Sequence, residues 1–372
     1  MKNKSYCPLP FNHLAIRPNG NVYPCCAFRW ENVPEDFNIQ QPDIFNHPMM
    51  QDIRDKMLND VLVEGCSKCY ENERNTSNSN RIHFIKKGSD YGLNLDPYAK
   101  PALTYLDLAL SNTCNNRCRM CNPELSTSWY SDAKALGMKI PKGIIEQTTV
   151  LNDYDLSQLK YIKLIGGEPL MEQQKFIDVL KRCDRKNLTI LLTTNVTLVP
   201  NDELLSLMKE CKETRINLSI DALGSLNDFL RKGSKWEKTI ETIEWFQTNF
   251  PTAFLGINAV ISIYNMNVID KFYLFFKEKF PTINTSYVMT DGPDWMHPKH
   301  LPDSAKELIS NKIKIWRTEL EAPIFNTMLF EMQKAGDFKI FSKQDTRLNE
   351  LRGEHWKDAN PELYEMVKGF YE

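Results

Sequence analysis

The chain has no apolar run long enough to span a membrane and no amino-terminal pattern of a secretory signal, which points to a soluble, cytoplasmic protein. It also lacks an excess of charge of one sign. With 46 Lys and Arg against 48 Asp and Glu, the formal net charge is −2, so there is no strong nucleic-acid signal, because a non-specific nucleic-acid binder would be basic. A nucleotide-sized substrate is still compatible with that balance. Internal repeats and sustained low-complexity tracts are absent too, while 372 residues suffice for a real core and two or three structural units.

Cysteine is abundant by contrast. Ten are present and seven fall into two groups, which in a reducing compartment read as metal ligands more readily than as disulfides. The first group is Cys114, Cys118 and Cys121 in Thr-Cys-Asn-Asn-Arg-Cys-Arg-Met-Cys-Asn, just after the apolar strand-like segment Tyr105 to Leu110. A [4Fe-4S] cluster usually takes four thiolates, so three in one loop leave one iron open to a small molecule. Zinc favours four closed ligands and paired knuckles, and no histidine lies nearby to complete such a set.

The spacing Cys-x3-Cys-x2-Cys resembles the signature of the radical S-adenosylmethionine (SAM) superfamily. That resemblance implies a cluster whose open iron is chelated by the amino and carboxylate groups of SAM. Lys160 to Leu170, Lys-Tyr-Ile-Lys-Leu-Ile-Gly-Gly-Glu-Pro-Leu, adds to it: Gly166, Gly167 and Glu168 look like the family's Gly-Gly-Glu motif, which holds the SAM amino group. Glycines at a strand end let a ligand approach the backbone closely.

Further strands are expected over Thr189 to Asn195, Thr214 to Ala222, Phe254 to Ile263 and Ile283 to Met289. Helical spacing appears near Leu125 to Leu136 and over Glu172 to Arg182, Asp202 to Cys211, Lys235 to Asn249 and Asn267 to Lys279. Six strands alternating with helices imply an α/β fold with a parallel sheet, and the resemblance makes it a partial (β/α)6 barrel. Ligands of parallel barrels lie at the carboxyl ends of strands. In the resembling enzymes, polar residues there bind the SAM ribose and carboxylate, roles that fall here on Thr194, Asn195, Ser219 and Asp221. Each is equally at home as an ordinary turn or cap residue. Val260 on the fifth strand is expected beside adenine, although Leu255 and Ala259 replace the family's two glycines. Met120 takes a place often held by an aromatic residue, and its polarisable thioether suits the same contact.

The second group is at the front. Leu14 to Ile16 and Asn21 to Tyr23 flank Pro18-Asn19-Gly20 as a tight hairpin that brings Cys7 and Cys25 together, and Cys66 and Cys69 add a Cys-x2-Cys pair. The stretch looks like the twitch auxiliary-cluster module, a shortened relative of the SPASM domain, but here it precedes the barrel instead of following it. Four cysteines can also close a zinc tetrahedron. Cys26 is an alternative ligand to Cys25.

The expected division is therefore a twitch-like module and linker over 1–100, the barrel over 101–290, and a C-terminal loop and helical extension over 291–372. Asn72 to Arg81 and Lys86 to Lys100 read as the connection, with Lys86 and Lys87 on a solvated face. Trp295 and His297 lie just past the sixth strand and could contact substrate or simply pack. Cys183 and Cys211, near helix ends, read as small buried hydrophobes. The resemblance implies two [4Fe-4S] clusters, SAM, a flavodoxin- or ferredoxin-like electron donor, and a small-molecule or peptide substrate that is oxidised or modified after hydrogen-atom abstraction. The competing class is a non-enzymatic iron-sulfur or zinc scaffold.

Overall fold

In a computed structural model the chain is described over residues 4–76, 79–141, 151, 154–320 and 324–371. Its strands are β1 (His13–Ile16), β2 (Val22–Tyr23), β3 (Tyr105–Ala109), β4 (Tyr161–Ile165), β5 (Thr189–Thr194), β6 (Glu213–Ser219), β7 (Phe254–Ile261) and β8 (Asn284–Met289). They follow one another in the sheet as β2-β1-β3-β4-β5-β6-β7-β8. The pairings β1–β3, β3–β4, β4–β5 and β7–β8 are parallel, and only the β1–β2 hairpin is antiparallel among those whose register is described. This is the expected α/β architecture of six alternating strands, extended by the hairpin. Pairing of β1 with β3 was not anticipated, because a four-residue segment carries too little periodicity to announce a sheet partner.

Two compact units emerge, one of residues 1–113, 141–193 and 200–215, the other of residues 114–140, 194–199 and 216–372.

In the first unit, alternation along the strands sends Leu106 and Leu108, Ile162 and Leu164, and Ile190 and Leu192 to one fully buried face. Register places them side by side: Leu106 opposite Ile162, Leu108 opposite Leu164, and both β4 residues opposite their β5 counterparts. Helices Gln173–Lys181 and Asp202–Lys209 present apolar stripes, with Phe176, Ile177, Leu204 and Met208 buried. The other face carries Tyr105, Asp107, Tyr161 and Lys163. There Tyr105 and Tyr161 pack edge-on, 5.0 Å between centroids, within a cluster that includes Tyr6, Phe11, Phe28 and Phe84. The polar connection is helical, unlike the expectation, over Ser67–Thr76 and Asn80–Lys87. Ser79 caps the second helix by accepting from the Ile82 N–H at 3.0 Å.

The second unit contains the loop after β3, the carboxyl part of β6, the β7–β8 pair, and helices Asp303–Glu319, Ile324–Met332, Phe338–Arg352 and Pro361–Val367. The expected C-terminal helical extension thus exists, packed into a core with Ile261, Tyr264, Ile309, Phe341 and Trp356.

Candidate functional site

Residues 114–121 follow β3 as an irregular loop whose shape is fixed by its own neighbours. The Cys114 N–H donates to Thr127 Oγ1 (3.3 Å), Ser128 Oγ to the Cys114 carbonyl (2.6 Å), Ser126 Oγ to the Asn116 carbonyl (2.7 Å), and Trp129 Nε1 to the Cys118 carbonyl (2.8 Å). The Cys114 sulfur receives the Asn116 N–H at 3.4 Å and Asn195 Nδ2 at 3.7 Å. The contact between the Cys118 and Cys121 side chains raises the Cys118 pKa and lowers that of Cys121, burial raises both, and Arg231 lowers both. The triad is thus gathered in one place.

Arg231 was not foreseen. Its Nε lies 2.7 Å from Asp221 Oδ2 with both side chains almost wholly buried, and its own pKa is driven up chiefly by Asp221, then Cys118 and Cys121, against the opposing pull of burial. Asp221 Oδ1 also accepts from the Val260 N–H at 2.8 Å, so two expected SAM residues from neighbouring strands touch. Asn195 bonds Asn115 Oδ1 at 2.8 Å and accepts from the Thr197 N–H at 3.1 Å, while Thr194 Oγ1 accepts from the Val196 N–H at 3.2 Å. Val196 itself has φ 65, an outlier for a β-branched residue. Ser219 and Met120 are half-buried, Met120 against the C-terminal core.

In the first unit the Gly-Gly-Glu turn is clasped to the end of the β3 segment: Gly167 N–H donates to the Ser111 carbonyl (2.9 Å) and Glu168 N–H to that of Thr113 (2.8 Å). A Cβ on Gly166, at φ +140, would meet the Ser111 carbonyl oxygen at 2.5 Å, and one on Gly167 that of Thr113 at 2.3 Å. The glycines therefore let two stretches of this chain approach each other. The Glu168 side chain is buried and caps the turn after it, accepting from the Leu170 N–H at 3.1 Å.

The front cysteines also converge. Burial first, then Cys66 and Cys69, raise the Cys7 thiol; burial, Cys26, Cys7 and Cys66 raise Cys25; burial and Cys69 push Cys66 up to about 12. Cys26 has other charged neighbours, Asp107, Lys163 and Arg17, and its sulfur receives Asn80 Nδ2 at 3.7 Å. Cys7, Cys25, Cys66 and Cys69 thus lie near one another, and Cys26, beside Cys25, also faces the charged groups of the polar sheet face. No group of His, Cys, Asp or Glu among the described residues is arranged to hold a single metal ion. Cys7, Cys25 and Cys66, shielded thiols whose ionisation their neighbours in the set oppose, fit a group that takes them up as thiolates and neutralises them.

Asp107 and Lys163 were also passed over, although a charge within an apolar strand is a readable signal. Asp107 is 1% exposed, 3.7 Å from His13 Nε2 and 4.0 Å from Lys163 Nζ, with its Oδ1 lacking a hydrogen bond. Although burial opposes ionisation, Lys163, His13 and Tyr105 together hold the carboxyl well below its usual range. His297 and Trp295 are packing residues: His297 Nε2 meets Glu331 at 3.0 Å, and Trp295 packs against Tyr264 and Phe341. Cys183 and Cys211 donate to the Val179 and Leu207 carbonyls, as filling thiols do.

Residues 108–275 match the model of the radical SAM superfamily, and residues 7–70 match that of the iron-sulfur cluster-binding (SPASM) domain. The chain thus contains a radical SAM domain with an iron-sulfur cluster-binding (SPASM) domain ahead of it. It is an enzyme of the radical SAM type, with SAM and iron-sulfur clusters as cofactors, which sets the scaffold reading aside. The GTP 3′,8-cyclase of Helicobacter pylori is 23% identical over 246 residues, 65% of this chain and 70% of the relative. That of Aliarcobacter butzleri is 27% identical over 146 residues, 38% and 42% of the two chains. The solved structure of native anSMEcpe with bound AdoMet is 21% identical at a TM-score of 0.40, over 58% of this chain and 60% of that one. Streptococcus suis SuiB bound to precursor peptide SuiA is 15% identical at 0.37, over 83% and 72%. No helix among the described residues is long and apolar enough to cross a membrane.

Proposed function

We propose that this enzyme binds a [4Fe-4S] cluster through Cys114, Cys118 and Cys121 and a second through Cys7, Cys25, Cys66 and Cys69, and oxidises or otherwise modifies a small alcohol, sugar or peptide side chain. The two converging thiol sets, three-membered and four-membered, carry this reading. When bound, the cofactors supply a 5′-deoxyadenosyl radical that takes a hydrogen atom from the substrate, and a closed centre able to accept one electron.

The chain's own residues hold and orient the parts. Asn195, Thr194, Ser219, Asp221, Val260 and Met120 are SAM residues in this reading, and Gly166, Gly167 and Glu168 keep the amino-group role that the family resemblance gives them. Asp107, ionised although buried, and Lys163 beside it are the charged groups of the polar sheet face, and this reading gives them the substrate: the carboxylate suits an N–H or O–H donor and the ammonium a carbonyl or carboxylate. An alcohol or a peptide offers such groups. GTP, named in the curated relatives, would bring its phosphates to a face holding a carboxylate, and is the competing substrate. Division into a module over 1–100, a barrel over 101–290 and an extension over 291–372, a cytoplasmic location and a flavodoxin- or ferredoxin-like donor complete the proposal. Anaerobic incubation of reconstituted protein with SAM, dithionite and separate pools of peptides, polyols and GTP tests it. We expect 5′-deoxyadenosine formation stimulated by the first or second pool; stimulation by GTP alone overturns the substrate class, and no SAM cleavage at all overturns the cluster assignment.

A further inference from the structure

Arg119 stands between Cys118 and Met120 in the triad loop, yet its side chain has no solvent exposure and points away from the thiols into the C-terminal helices. Its guanidinium lies 3.8 Å from the centroid of the Phe229 ring. It donates to the Tyr264 hydroxyl at 3.1 Å, to Glu354 Oε1 at 2.8 Å and to Asn349 Oδ1, and is 3.4 Å from Asp345 Oδ1. Only its Nε is without a hydrogen bond.

The receiving residues are themselves held. Asp345 Oδ2 accepts from Trp356 Nε1 (2.9 Å), the Tyr371 hydroxyl (2.7 Å) and Asn349 Nδ2 (2.9 Å). Glu354 Oε2 takes Lys232 Nζ at 2.7 Å, and the backbone beside Lys232 returns to the loop, since the Arg117 and Arg119 N–H groups donate to the Lys232 and Leu230 carbonyls, each at 2.8 Å. Arg117 makes a parallel connection: Asp132 accepts from it at 3.0 Å and from Arg352 at 2.8 Å. Both arginines that flank Cys118 therefore lead to Phe338–Arg352 and the turn after it.

A guanidinium is costly to bury and stays buried only where its charge and donors are met. Here two carboxylates, an amide, a hydroxyl and a ring meet it, all brought from more than a hundred residues away in sequence. Sites that hold a cofactor to sub-ångström tolerance need first ligands whose supports are themselves locked. We infer that the C-terminal helical extension is a clamp on the cluster-binding loop, with Arg119 as the positioning residue and Asp345, Asn349 and Glu354 as its receivers. The inference rests on reading residues 114–121 as the cluster loop.

Hydrogen exchange on the full metal-free chain tests the clamp without relying on that reading. Arg119→Met should speed exchange of the 118–121 amides about tenfold, the signature of local opening, while the amides of β7 stay protected. Arg119→Lys, which keeps the charge, should recover part of that protection. Unchanged exchange at 118–121, or an equal rise in β7, overturns the clamp. Should Arg119→Met not fold, Glu354→Gln carries the test: a several-fold rise confined to 117–121 supports it and no rise overturns it. In reconstituted protein, the electron paramagnetic resonance spectrum of the reduced triad cluster should broaden in Arg119→Met and sharpen again in Arg119→Lys; equal spectra in all three proteins overturn the positioning role. Failure of the triad to take up iron in the unaltered chain would instead defeat the cluster reading while leaving the exchange result intact.

Discussion

Arg231 Nε lies 2.7 Å from Asp221 Oδ2, with 10% of the Arg231 side chain and none of the Asp221 side chain exposed. The pair sets a cation against Cys118 and Cys121. Removing one member of such a pair leaves the other charge buried and alone, at a cost of about 3–5 kcal/mol. Urea unfolding of metal-free Arg231→Met should therefore show a loss of about 3 kcal/mol, and the double variant with Asp221→Asn should lose clearly less than the two single losses combined. Additive losses would mean that the contact contributes nothing as a pair.

The glycines of the Gly-Gly-Glu turn give a second test. A Cβ on Gly167 meets backbone, the Thr113 oxygen at 2.3 Å and the Asn112 carbonyl carbon at 2.6 Å, and backbone cannot swing aside as a side chain does. Gly167→Ala should cost about 3 kcal/mol. Gly137, at φ +68 with nothing near its Cβ position, should cost about 1 kcal/mol as Ala, for the left-handed backbone alone. Thermal unfolding of the two variants ranks them, and equal losses would refute the close approach.

The six barrel strands were legible because short apolar runs alternate with segments of helical spacing, one of which also has a clear start at Asn201, whose side chain accepts from the Leu204 N–H. The triad was legible from spacing alone. What stayed hidden depends on distance along the chain: nothing near Arg119 announces Asp345 or Glu354, and nothing near Cys118 announces Arg231. Helix Asn80–Lys87 was hidden by polar composition, since its signal is a single serine cap at Ser79. The different surroundings of Cys25 and Cys26 required the fold, because adjacent side chains diverge, one toward Cys7 and Cys66 and the other toward Asp107. Asp107 was in plain view as a charge in an apolar strand and needed only the question of what surrounds it.

Two thiols outside the cluster sets make stability depend on pH. Burial raises Cys183 and Cys211 from 9.0 to about 12 each, so the unfolded chain releases these protons first. Their contribution is whole below about pH 9 and is lost as pH rises toward 12, at up to about 1.4 kcal/mol per pH unit for each thiol. Urea midpoints of metal-free protein at pH 8 and 10.5 should fall more steeply than in a Cys183→Ala/Cys211→Ala variant. Parallel slopes would show that other groups govern the alkaline limb.

The front module should account for half of the iron. Reconstituted protein should hold about eight iron atoms if both centres are [4Fe-4S]; Cys114→Ala with Cys118→Ala and Cys121→Ala should leave about four and abolish SAM cleavage. Cys66→Ala with Cys69→Ala should also leave about four, yet retain SAM cleavage while formation of oxidised product collapses. Full product from that folded variant would reduce the module to a structural part. Cys26→Ala separates the neighbours: Cys26 acts on adjacent Cys25 but has Asp107, Lys163 and Arg17 about it, so iron content and visible absorbance should match those of the unaltered protein. Cys25→Ala should lose the absorbance of one cluster. The reverse outcome, iron lost in Cys26→Ala and kept in Cys25→Ala, would move the fourth ligand to Cys26 and require the chain after β2 to turn over when the cluster binds.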